Sequence, residues 1–115
     1  MNMVYITCNA SVQEQIQEVL DKANIREYQI VDQVMAKTKV SSPRFNNPVW
    51  PGYNTVFFCL IKETEKVEKL MEILKNFNQD AFNSSELITV CAWPLQYYFF
   101  GENITPKDSV DEPVM

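Results

Sequence analysis

The chain has 115 residues, 46% of them hydrophobic and 22% charged, with a formal net charge of −5 at pH 7. That length suits one ordinary domain, and burying roughly two-thirds of the unfolded chain's surface gives it a core without disulfides or metal. The sequence contains no histidine, which argues against zinc hydrolases, Ser-His-Asp and Cys-His nucleophile systems and most general-base enzymes.

Gly52 and Gly101 are the only glycines, so no Gly-rich phosphate loop of the Rossmann or Walker kind can be built, and no cofactor is expected. Cys8, Cys59 and Cys91 are odd in number and widely spaced, as buried thiols are rather than a disulfide framework or metal carrier. No apolar run approaches the ~18–20 residues of a membrane span, and the first residues lack the pattern of a secretory signal. The expectation is a cytoplasmic protein with no membrane insertion.

Residues 3–8 are β-branched and aromatic, predicting a strand that Asn9-Ala10-Ser11 interrupts. Ser11 and Glu14 form a capping-box pattern, and Val12, Ile16, Val19, Leu20 and Ala23 share one stripe, predicting a helix over about 12–23. Asn24 can supply a left-handed C-terminal cap before Ile25 closes over the last turn. Residues 26–39 alternate, with Tyr28, Ile30, Val34 and Ala36 on one parity, predicting a half-exposed strand. Residues 40–54 hold three prolines, a glycine and several Ser and Asn, and read as a long loop.

Residues 55–62 are apolar on both parities, as a central strand covered on both faces would be. Thr64 can cap a second helix over about 65–77, with Val67, Leu70, Met71, Leu74 and Phe77 as its stripe. A fourth strand follows within residues 87–96, where Pro94 requires an edge or a bulge. Tyr97-Tyr98-Phe99-Phe100 can continue that strand or latch onto a neighbouring subunit, and residues 99–115 read as a C-terminal tail beyond a domain of residues 1–98.

The order βαββαβ predicts an α+β, ferredoxin-like sandwich: a four-stranded antiparallel sheet with two helices on one face. Its opposite face is left bare and apolar, which predicts self-association. Neighbouring strands could bring Cys91, Cys8 and Cys59 onto one face as a thiolate site, although small buried hydrophobes are the commoner role.

Charge is placed unevenly. Residues 33–62 hold Lys37, Lys39, Arg44 and Lys62 and no acid, a local +4, while the rest carries six bases against fifteen acids. Such a basic island attracts a phosphate, a carboxylate or an acidic partner surface. The overall acidity argues against sequence-independent nucleic-acid binding. Trp50 and Tyr53 flank a rigid Pro51-Gly52 turn and can stack on a ligand or plug the end of the sandwich, and Asn54 can hydrogen-bond a ligand or its own turn. The candidate ligand contacts are thus Lys37, Lys39 and Arg44 by charge, and Trp50 and Asn54 by stacking and hydrogen bonding. No residue stands out as catalytic or metal-binding.

Lys37-x-Lys39, Ser41-Ser42-Pro43-Arg44 and Val49-Trp50-Pro51-Gly52-x-Asn54, set in this architecture, resemble the small P-II-like proteins of the superfamily of nitrogen-regulatory P-II trimers and CutA-type proteins. The resemblance covers about residues 1–98. It implies a noncatalytic signalling homotrimer that binds small effectors in clefts between subunits and meets a membrane transporter or enzyme through a loop. Nucleotide-binding members cradle phosphates with a glycine- and lysine-containing loop before strand four, and residues 78–86 here contain neither residue type. Alternatives from other classes are a dimeric α+β-barrel enzyme and a structural oligomeric subunit without ligand.

Overall fold

A computed structural model of the chain describes residues 1–39, 42–101 and 107. Strand β1 (Asn2–Asn9) leads through a 3-10 turn (Ala10–Val12) into helix α1 (Gln13–Lys22). Strands β2 (Tyr28–Val34) and β3 (Asn54–Ile61) follow, then helix α2 (Thr64–Gln79), a second 3-10 turn (Ser84–Glu86) and strand β4 (Thr89–Pro94). The sheet is antiparallel throughout, in the order β2-β3-β1-β4. This is the expected ferredoxin-like α+β sandwich.

Register assigns the faces. Val4, Ile6 and Cys8 of β1 and Phe57, Cys59 and Ile61 of β3 are buried on one face, beside Ile16 and Leu20 of α1 and Leu70 and Leu74 of α2. Side chains alternate along a strand, so Met3, Tyr5, Phe58 and Leu60 fall on the other face and are half-exposed. Tyr5 and Phe58 are direct cross-strand partners there, with ring centroids 5.5 Å apart in an edge-on arrangement. The Phe58–Leu60 half of β3 is therefore covered on the helix side only, because no helical layer lies on the other face, whereas Asn54 and Val56 at its start are buried on that other face too.

Several local expectations hold. Asn24 adopts φ 60, and Ile25 N donates to Leu20 O at 2.9 Å, closing α1 as a left-handed cap does. Pro94 ends an edge strand, where its missing N–H leaves no ladder bond unmade.

Others are corrected. Ser11 caps nothing: Asn9 Oδ1 accepts from Ser11 N at 2.8 Å, because the 3-10 turn takes up the start of the helix. Thr64 lies inside α2, and Glu63, with extended backbone, stands at its N-cap without a side-chain hydrogen bond. The β2 alternation fails at a bulge between Val31 and Val34, where Gln33 takes φ 57 and Asp32 Oδ1 accepts from Gln33 N. One extra residue reverses the parity, so Val34 faces the opposite side from Tyr28 and Ile30. Cys91 pairs with Tyr5 while Cys59 pairs with Val4, which separates Cys91 from the other two cysteines by the thickness of the sheet.

Asn78 joins the two halves of the last unit. Its Nδ2 donates to Ile88 O at 2.9 Å and its Oδ1 accepts from Ile88 N at 2.8 Å, so one side-chain amide imitates a neighbouring strand.

Candidate functional site

The segment between β2 and β3 folds over one end of the sheet. It is less irregular than its composition suggests, because Ala36 and Arg44 form an antiparallel bridge with N–H···O distances of 2.7 and 2.6 Å. Beyond the bridge, Asn47 Oδ1 accepts from Val49 N at 3.0 Å and Trp50 N at 2.6 Å, while Asn46 N donates to Gly52 O at 2.8 Å. Gly52 at φ 94 supplies the conformation that L-residues disfavour. Ala10 N donates to Tyr53 O at 3.1 Å and ties the returning chain to the end of β1.

The sequence-selected residues divide into two groups. Arg44 and Asn54 are brought together and buried, at 7% and 2% exposure. Arg44 Nη1 donates to Asn54 Oδ1 at 3.0 Å and Nη2 donates to Ser85 O at 3.1 Å. Asn54 Nδ2 in turn donates to Thr7 Oγ1 at 3.0 Å. Lys37, Lys39 and Trp50 stay exposed on the loop. Arg44 thus fastens the loop to β3 and to the turn before β4, and through Asn54 to Thr7 of β1, while the two lysines stay exposed.

Burial sets the electrostatics of this end. Desolvation pulls the Arg44 guanidinium below its ordinary range, because both acceptors are neutral and do not offset the lost hydration of the cation. Burial also pushes the Cys8 thiol up to about 11, and the nearby Arg44 charge opposes part of that rise. Next to this cluster, Thr55 Oγ1 lies 2.9 Å from Gln13 Oε1 and 3.4 Å from Asp32 Oδ1, linking β3 to the start of α1 and to the β2 bulge.

Sequence reading missed Thr7, Ser85, Thr55 and Gln13. Thr7 reads as an ordinary strand residue. Ser85 contributes a backbone carbonyl, which no residue type reveals. Among the described residues no group of three or more Cys, Asp or Glu side chains could hold a metal ion. No helix among them is long and apolar enough to cross a membrane.

The chain matches no protein-family model and no curated protein sequence. Its fold is that of solved P-II-like proteins. It is similar to CPII from Thiomonas intermedia K12 bound to ADP and bicarbonate, at TM-score 0.61 and 18% identity over 80% of this chain and 84% of that one. The apo form of CPII, described as a nitrogen regulatory P-II-like protein, gives TM-score 0.55 and 21% identity over 80% and 87% of the two chains. A P-II-like signalling protein from Thermus thermophilus gives 0.56 and 15% over 80% and 83%. The resemblance stated from the loop residues therefore holds at the level of the fold.

Proposed function

We propose that this protein is a noncatalytic P-II-like signalling subunit. Three copies assemble through the bare sheet face, and a small anionic ligand is taken at a cleft between subunits, against the 37–54 loop. The same loop docks on a transporter or enzyme partner, and ligand binding selects the loop conformation that the partner meets.

One observation carries the reading: Arg44, bridged to Ala36 and hydrogen-bonded to buried Asn54, anchors the loop to the sheet, while Lys37, Lys39 and Trp50 stay exposed on it. A loop fixed at its base and open at its tip suits a reporter of ligand state, since small contacts at the tip decide among its arrangements. CPII binds ADP and bicarbonate, and both are anions of the kind that paired lysines attract. Residues 78–86 offer neither glycine nor lysine to cradle a polyphosphate, so a small carboxylate-like anion such as bicarbonate suits this chain better than a nucleotide. In this reading Lys37 and Lys39 contact the ligand, Trp50 covers it, and Arg44 and Asn54 position the loop.

Calorimetric titration with bicarbonate, dicarboxylates and ADP tests this, comparing the wild-type chain with the Lys37→Ala/Lys39→Ala double variant. Binding that weakens at least tenfold in the double variant supports the assignment. Equal affinity in both proteins, or no heat from any of these anions, overturns it.

A further inference from the structure

Of the described aromatic segment after β4, Tyr98 reaches the bare sheet face of its own chain at Leu60, and Tyr97 and Phe99 stand clear of it. Leu95 N donates to Met1 O at 2.9 Å, so the chain leaves the sheet beside the start of β1. Tyr98 then turns against its own copy and lines a groove with Met1, Ile25, Leu60 and Lys66. Its neighbours stand clear, with Tyr97 86% and Phe99 82% exposed. Single exposed apolar residues are ordinary, whereas a cluster of large exposed aromatics beyond the last strand marks a contact surface.

On the other side of Leu60, at the β2 end of the bare face, lies a hollow of about 500 Å³ lined by Met3, Tyr28, Phe58 and Leu60, with Glu27 and Gln29 among its polar lining residues. Its own arm passes it by, because Tyr98 is held in the adjoining groove.

Area decides what fills the hollow. Four strands of about seven residues, at ~3.3 Å per residue and ~4.8 Å between strands, make a face of roughly 400 Å². A stable interface takes about 800 Å² from each partner. Each aromatic side chain buries ~150–250 Å², so two from an arm supply most of the shortfall. A tyrosine and a phenylalanine also match a hollow whose floor is apolar and whose lining offers acceptors for one hydroxyl.

We propose that Tyr97 and Phe99 of one copy seat in the Met3–Phe58–Leu60 hollow of a second copy, each chain giving one arm and receiving another. A contact of that head-to-tail kind closes into a ring when the rotation between copies allows it. The proposal rests on the assembly put forward above and names the segment that completes it.

The full chain is made with p-benzoylphenylalanine in place of Phe99, once with natural nitrogen and once with ¹⁵N, and the two are mixed, equilibrated and irradiated. Mixed-isotope adducts on peptides carrying Met3, Phe58 or Leu60 are expected. Adducts confined to one isotope, or mixed adducts elsewhere on the surface, overturn the proposal. Sedimentation of the Tyr97→Ser/Phe99→Ser variant supplies a second readout, since both side chains are exposed and folding is checked by far-UV dichroism. Its dissociation constant should rise at least tenfold. A variant that stays as tightly trimeric as wild type overturns the arm alone, and a wild-type chain that remains a monomer at every concentration overturns the assembly with it.

Discussion

Arg44 Nη1 lies 3.0 Å from Asn54 Oδ1, which sets a buried cation against a neutral amide at the first residue of β3. The contact spans ten residues of sequence and closes the 44–54 part of the loop, the part that carries Trp50. Removing the two partners is not equivalent. Asn54→Leu leaves a buried guanidinium short of an acceptor and should cost about 1–3 kcal/mol or more, whereas Arg44→Met removes the charge together with its need for partners. Urea unfolding of both variants and the double variant should rank Asn54→Leu as the more destabilising single change, with the double variant no worse than it. The reverse order would mean that Arg44 acts chiefly through packing.

Cys8 and Cys59 are held protonated by burial, up to about 11 and about 12, from an ordinary value of 9.0. The unfolded chain gives up these protons near pH 9 and the native chain only at higher pH, so between those values the native state binds more protons. Their contribution to stability is therefore complete below about pH 9 and is lost as pH rises toward 11–12. The midpoint of urea unfolding should fall over that window, and Cys8→Ala or Cys59→Ala should flatten the decline.

Together with Cys91, these two thiols report on assembly. Cys91 is exposed on the bare face while Cys8 and Cys59 are buried on the helix side. In dilute protein a disulfide-exchange reagent should label one thiol per chain promptly and the other two only on unfolding. At concentrations where copies associate through that face, labelling of Cys91 should slow at least tenfold. A rate independent of concentration would place the contact elsewhere.

Gly52 has φ 94, and a Cβ built on it would meet nothing within 4 Å. Gly52→Ala is thus strained by the backbone alone, with an expected loss of about 1–2 kcal/mol. Amide exchange should quicken at Asn46, whose N–H donates to Gly52 O, and not in the central strands.

On α2, Leu74 is buried and its neighbour Ile73 is exposed. Leu74→Ala should cost roughly 2–5 kcal/mol. Ile73→Ala should stay within about 1 kcal/mol, as exposed positions usually do. Chemical denaturation of the pair checks the face assignment of the helix.

Helices and strands were readable because their periodicities are strong: Ile16 and Leu20, or Val4, Ile6 and Cys8, declare a buried face by spacing alone. The β2 bulge was not, since Asp32 and Gln33 carry no residue type that announces an extra position. The basic character of the loop was legible, but the division of labour within it was not. Lys37 and Arg44 look alike in a sequence, and only the bridge to Ala36 turns Arg44 inward to Asn54 and Ser85. A partner that is a main-chain carbonyl leaves no trace in composition.

The double hydrogen bond between Asn78 and Ile88 pins both ends of the intervening chain, and Phe82 at its crest is 95% exposed. Those residues form a handle clipped shut at its base. Extra length spliced in near Phe82 would be insulated from both the helix and the edge strand, which makes that crest a suitable mount for a fluorophore or affinity tag on the working protein.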